Sequence, residues 1–157
     1  MAAEIFAKFP KGIKGETVQA GHVDEVPISS IRWGLTRNIS LVTGSRQTSV
    51  PSFSDVVMTK QIDSASSDLM KACALGTDLD EIVITFRKDA GEESLGYLTY
   101  TLSDCLISSY TVSAATGAPT ETFSISYIKI ASTYKKQASD HSSASDHEFE
   151  FDLRARA

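Results

Sequence analysis

The sequence predicts a mainly β domain whose sheet closes or bends sharply, with one short helix. Three observations lead there. Apolar and polar residues alternate with period two through several segments, the pattern of strands with one buried face. Only residues 66–76 carry paired helix start and stop signals. The first well-patterned strand changes parity midway, which a flat, unbroken strand could not do without turning half its apolar residues to water.

That parity change lies in Val26-Pro27-Ile28-Ser29-Ser30-Ile31-Arg32-Trp33-Gly34-Leu35. Val26 and Ile28 share one face, whereas Ile31, Trp33 and Leu35 share the other. A β-bulge near Ser29–Ser30 is expected, and bulges bend and twist strands as a small barrel requires. From Asn38 to Asp55 the chain is too long for a hairpin turn and poorly patterned for a strand, so an extended loop is expected over about 38–55. Leu41, Val42, Val50 and Phe53 are too apolar for a disordered loop, which suggests that it docks outside its own domain.

The helix of residues 66–76 is expected to have a serine cap, Asp68 in its first turn and Gly76 as a left-handed stop. Leu69, Met70 and Cys73 give it a narrow apolar stripe that needs a sheet to lie on. Next, Ile82, Ile84 and Phe86 alternate with Val83, Thr85 and Arg87, and Lys88–Glu92 supplies a hairpin turn with Gly91. Leu95–Leu102 and Leu106–Val112, separated by Ser103-Asp104, read as a meander. After the breaker Ala115–Pro119, the run Glu121–Ile130 alternates, and its later half is apolar on both faces, so both should meet protein. A polar loop, mobile on composition, is expected over about 135–147. Phe149, Phe151 and Leu153 then form a last strand with one buried side.

A chain of 157 residues fits a single domain, 1–157, with one core. With 41% hydrophobic and 22% charged residues it reads as an ordinary globular protein rather than a disordered or fibrous one. A net charge of -5 gives phosphate backbones no cationic cluster to bind, so no nucleic-acid partner is expected. Glu4 and Lys8 interrupt the apolar core a signal peptide needs, and no stretch is long and apolar enough to span a bilayer. The expectation is a protein made in the cytoplasm without stable membrane insertion. Cys73 and Cys105, with no Cys-x-x-Cys, read as buried free thiols rather than a zinc cage or a disulfide.

His22, Asp24 and Glu25 offer an imidazole and two carboxylates within four residues, the ingredients of a metal or general-base site. In an extended chain, however, His22 and Asp24 would share a face while Glu25 points away, so the group reads as a polar lead-in to a strand. Asp140-His141 and Asp146-His147 could hold a divalent ion weakly, but a solvated Ser/Asp/His loop is the better reading. Gly12-Ile13-Lys14-Gly15-Glu16 lacks the Gly-Lys-Ser/Thr ending of a phosphate loop and reads as turn chemistry. No catalytic residue, cofactor or metal ligand is assigned, and the chain is not expected to be an enzyme.

Several short stretches resemble one family in order and spacing: Phe6-Ala7-Lys8, Lys14-Gly15-Glu16, His22-Val23-Asp24-Glu25, Trp33-Gly34, Thr59-Lys60-Gln61-Ile62-Asp63, Leu69-Met70-Lys71-Ala72-Cys73 and Ser108-Ser109-Tyr110. The sequence is similar to the Hcp proteins (haemolysin-coregulated protein) of bacterial type VI secretion systems. The resemblance implies a compact β-barrel of two antiparallel sheets with one short helix alongside. It further implies a homo-hexameric ring, stacked into an inner tube that a sheath propels with a VgrG-type spike protein. Such proteins leave the cytoplasm by that route and chaperone effectors in the ring lumen.

By that analogy Leu41, Val42, Val50 and Phe53 would contact a neighbouring subunit or the adjacent ring, a heterologous contact of the kind that closes rings. Where the family often has a small residue between two aromatics before the glycine, this chain has Ile31-Arg32-Trp33-Gly34. Alternation puts Arg32 opposite the core, either facing the lumen, where six arginines would favour acidic cargo, or on a surface pairing with a neighbour's carboxylate. A stand-alone cargo-binding adaptor that forms no tubes is the other functional reading.

Overall fold

The computed structural model describes residues 3–17, 21–90, 93–137 and 143–155. In chain order its strands are β1 (Ala3–Lys8), β2 (Val26–Ile28), β3 (Ser30–Arg32), β4 (Leu35–Thr36), β5 (Ile39–Val42), β6 (Ser45–Thr48), β7 (Ser52–Phe53) and β8 (Val56–Gln61). Helix α1 (Ser66–Leu75) follows, then β9 (Glu81–Ala90), β10 (Glu93–Ser103), β11 (Leu106–Ser113), β12 (Thr120–Ser126), β13 (Lys129–Gln137) and β14 (Ser143–Asp152). A 3-10 turn over Leu153–Ala155 ends the described chain.

Two antiparallel sheets enclose the core: a six-stranded sheet in the order β14-β13-β10-β9-β1-β2 and a four-stranded sheet in the order β11-β12-β8-β3. The mainly β fold with a short helix is as expected, but the sheets are not closed into a barrel. The curvature comes instead from strands that change sheets. At Ser29 the chain passes from β2, on the edge of the large sheet, to β3, on the edge of the small one, and the Ser29 N–H bonds the Thr59 carbonyl at 2.8 Å. The parity break read as a bulge is this crossing: Val26 and Ile28 are buried under one sheet, and Ile31 half-buried under the other.

The same device corrects two further expectations. β10 and β11 are not a meander, because β10 pairs with β9 and β13 whereas β11 pairs with β12. The turn between them uses Asp104 in the left-handed region, φ 55°, and buries Cys105. Likewise the run Glu121–Ile130 is two strands in different sheets, broken at Tyr127-Ile128. Its apolar residues on both parities, Phe123 and Ile125 then Ile130, are buried because the inward direction is redefined at the crossing.

Ile82, Ile84, Leu102 and Ile130 from the large sheet meet Val56, Met58, Phe123 and Ile125 from the small one, all 0–1% exposed. Each such side chain contributes about 1.5–3 kcal/mol of transfer free energy. Arg87 lies on the opposite face, as alternation requires, yet is buried: its guanidinium sits 5.6 Å from the Phe6 ring centre, with Glu4 3.4 Å from Nε. His22 stacks on Phe6 on this same face, which helps to cover it.

Helix α1 packs beside β11 and inserts Leu69 and Ala72. Gly76 ends it at φ 63°, ψ 39°, as expected. The serine cap is absent: the N-cap is Ala65, whose N–H is taken by Asp63 Oδ1 at 2.9 Å, while the Ser66 hydroxyl turns inward. Met70 is largely exposed and Cys73 half-buried, so of the two free thiols Cys105 alone is fully buried.

The polar stretch 135–147 is in large part ladder, since β13 continues to Gln137 and β14 begins at Ser143. Asp140-His141 and Gly91 lie outside the described residues. The strands of the large sheet outrun the small one, and beyond the core their inner face carries a run of aromatic contacts. Trp33 meets Tyr100 edge-on at 5.5 Å, Tyr100 meets Phe86 at 5.8 Å, and Tyr97 bridges Phe86 and Tyr134 at 6.5 Å each.

Candidate functional site

The outer face of the four-stranded sheet follows from strict alternation. In β8, Val56, Met58 and Lys60 point inward, leaving Val57, Thr59 and Gln61 outward. Register aligns Arg32, Val57, Ser124 and Ser109 across all four strands, and Ser30, Thr59, Thr122 and Thr111 in the next row. The result is a carpet of small hydroxyl side chains with one guanidinium. Thr59 and Thr122 hydroxyls meet at 3.1 Å, and Ser108 and Ser109 each reach Ser124 Oγ at 2.6 Å.

An open depression of about 710 Å³ crosses this face between Arg32, Trp33, Asp55, Val57, Ser109 and Thr122. Asp55 is engaged by the Ser108 hydroxyl at 2.6 Å. Arg32 is exposed, with Ile31 and Trp33 on either side turned toward the core, and it forms no ion pair among the described residues. A guanidinium offers five donors in a fixed planar fork that matches a carboxylate, and the neighbouring hydroxyls can complete such a contact.

The stretch expected as an extended loop over about 38–55 falls largely within a two-stranded arm of residues 35–53. β4 pairs with β7 at its base and β5 with β6 at its tip, joined by Thr43-Gly44, both with positive φ (51° and 79°). That is the turn whose twist suits a tight hairpin. Leu41 is 76% exposed, and Val42 and Val50 are about half exposed. Phe53 differs, since it is half-buried and stacks on Phe151 at 4.9 Å, anchoring the arm to its own core. Ile39 (60% exposed) and Leu35 (49%) belong to the same apolar arm and were missed. The alternation Ile39-Ser40-Leu41 before Thr43-Gly44 was the available signal.

His22, Asp24 and Glu25 are arranged contrary to the extended reading. A turn with Asp24 at φ 65° brings His22 Nδ1 to 2.9 Å from Glu25 Oε2 and sends Asp24 toward Lys14, at 3.8 Å. The His22 ring stacks on Phe6 at 4.7 Å and 12°. The group therefore clamps residues 21–25 to β1. Asp146 and His147 sit on β14, His147 beside the Tyr134 ring at 6.3 Å.

Residues 6–134 match the family described as type VI secretion system effector, Hcp. The chain belongs to the Hcp family. It is 29% identical to the protein hcp1 of Pseudomonas aeruginosa over 145 residues, covering 89% of this chain and 88% of that one. Its fold is that of Hcp1 from Salmonella typhimurium, with a TM-score of 0.82, 27% identity, and 99% and 98% of the two chains covered. A structure described as that of a type six secretion system protein superposes with a TM-score of 0.91 at 22% identity, covering 99% of each chain.

In this Hcp chain two of the stretches that carried the resemblance, Thr59–Asp63 and Ser108–Tyr110, supply members of a buried network. Lys60 Nζ is shared by Glu121, Asp63 Oδ1 at 2.8 Å and the Ser66 hydroxyl at 3.4 Å, and Tyr110 donates its phenol proton to Glu121. Burial, followed by the Glu121 carboxylate, pushes the Tyr110 phenol well above its ordinary range. This network locks β8, β11, β12 and the start of α1 together beneath the hydroxyl face.

Proposed function

We propose that this Hcp chain is a non-enzymatic subunit of the type VI secretion inner tube: a hexameric ring that stacks, is secreted with the tube, and carries effectors in its lumen. Family membership supports the secretion role. The observation that carries the assembly is the arm of residues 35–53, whose Ile39, Leu41, Val42 and Val50 are exposed and uncovered among the described residues. Monomeric proteins rarely expose this many large apolar side chains on one projecting segment unless a partner covers them.

The hydroxyl face with Arg32 is the proposed lumen wall. Closing a ring of six places six guanidinium groups around one belt, an electrostatic filter that favours acidic cargo and weakens with salt. Sheath and spike contacts belong to the same reading. Light scattering on the purified protein, with electron microscopy of the same sample, tests it. Six-membered rings and stacks are the expected result; a monomer at every concentration overturns it and favours the stand-alone adaptor.

A further inference from the structure

The depression on the hydroxyl face has a second pole besides Arg32. Pairing of β11 with β12 slips between Ile107 and Ser109, so that Ser108 is an extra residue in its strand. A bulge of this kind sets two consecutive residues against one on the partner strand. Here Ser108 and Ser109 both reach Ser124 Oγ, at 2.6 Å each, and Ser108 also reaches Asp55 Oδ2 at 2.6 Å. Asp55 lines the same depression, half-buried, and forms no ion pair among the described residues.

Counting protons fixes the direction of these bonds. A carboxylate only accepts, and each hydroxyl has one proton to give. Ser108 donates to Asp55; the Ser124 carbonyl, at 3.3 Å, competes poorly for that proton with a carboxylate at 2.6 Å. In the contact between Ser108 and Ser124 the donor is therefore Ser124. With the Ser124 proton committed, Ser109 must donate in the next contact. All three protons run toward Asp55, so Ser109 Oγ and the carboxylate offer an incoming group nothing but lone pairs. Arg32 is the reverse, a set of N–H donors with no acceptor.

We infer that the depression binds a bipolar peptide segment, which brings a carboxylate to Arg32 and, a few residues away, an ammonium, guanidinium or amide donor to Asp55 and Ser109. The sheet sets the spacing: Asp55 is one strand across and two residues along from Arg32, about 8 Å, and Ser109 is three strands across, about 14 Å. Side chains about two to four residues apart on an extended peptide span that range. The inference rests on the reading of this face as a cargo-binding wall and narrows the cargo it takes. The formal charges of the two poles cancel in every subunit, so selection depends on where a segment carries its charges as well as on their sign. Acids keep an advantage over bases, because Arg32 is exposed whereas Asp55 is half-buried and already accepts one hydrogen bond.

The test is fluorescence anisotropy of the purified protein with three labelled peptides of equal length. One carries Glu and Lys with two residues between them, one carries Glu at both positions, and one carries Lys at both. The mixed peptide is expected to bind about fivefold more tightly than the di-Glu peptide, the worth of one partly screened ion pair. Asp55→Asn can still accept from Ser108 but presents donors of its own, and should bring that ratio close to one. Arg32→Gln should weaken both peptides. Ser109→Ala, which removes only the far acceptor, should lower the ratio in the same direction and serves if Asp55→Asn does not fold. Tightest binding of either single-sign peptide by the wild type, or a ratio that neither Asp55→Asn nor Ser109→Ala changes, overturns the bipolar site while the cargo reading stands. Binding of none of the three overturns both.

Discussion

Lys60 and Glu121, paired directly across β8 and β12, form an ion pair that water does not reach: their side chains are 1% and 0% exposed. Breaking a buried pair by removing one partner leaves an uncompensated charge and costs about 3–5 kcal/mol, whereas replacing both by apolar residues is often neutral. Lys60→Met should therefore lower the free energy of unfolding by about that amount, and Lys60→Met with Glu121→Met should recover most of it. Urea titrations of the three proteins measure this; a single variant as stable as wild type would contradict the network's role.

Gly15 donates its N–H to the Asp24 carbonyl at 2.8 Å, and a Cβ there would sit 2.4 Å from the Glu25 carbonyl oxygen. Backbone cannot yield as a flexible side chain can. Gly15→Ala is expected to cost about 1–3 kcal/mol, seen as a lower denaturation midpoint with unchanged slope.

Burial raises the Cys105 thiol and the Tyr127 phenol to about 12, and raises the Tyr110 phenol too. All three hold their protons longer folded than unfolded. Their contribution is complete below the unfolded pKa values of about 9 and 10 and is lost as pH rises toward the folded ones. Thermal midpoints should stay level up to about pH 9 and then fall steeply. Tyr127→Phe, which keeps the ring but removes the bond to the Ser54 carbonyl, should make the fall shallower.

Ile39→Asp with Leu41→Asp should leave the monomer's unfolding free energy within about 0.5 kcal/mol of wild type, because both side chains are already solvated. Self-association should drop by at least an order of magnitude. Analytical ultracentrifugation reads both species at once, and unchanged assembly would remove the arm from the interface.

Arg32→Glu should reverse the preference of assembled protein for acidic over basic peptides, while fold and assembly persist. Fluorescence anisotropy at low and physiological salt checks it. Equal binding of both peptide classes before and after the change would remove Arg32 from cargo selection.

Period-two alternation made β9 and the inward faces of Ile82 and Ile84 legible, because that strand stays in one sheet and buries one side. It misled where strands change sheets. The Ser29 crossing looked like a bulge, and residues 121–130 looked like one strand with two buried faces, since pattern alone records burial but not which sheet provides it. The arm was read as a loop because it is polar on one face and apolar on the other without any core of its own. For Arg32 the parity argument predicted exposure correctly. For His22 and Glu25 it failed, because a left-handed turn at Asp24 replaced the extended chain on which parity depends.

The arm is rooted at two points, Trp33 against Tyr100 and Phe53 against Phe151, on neighbouring inward-facing rows of the large sheet. A pull on its tip loads both roots together, so the short β4–β7 ladder need not carry the strain by itself. The force enters the widest sheet through two aromatic rings, one on β10 and one on β14. Under load, that makes the arm a tether anchored in the core, and its strength a matter of unfolding rate rather than equilibrium stability.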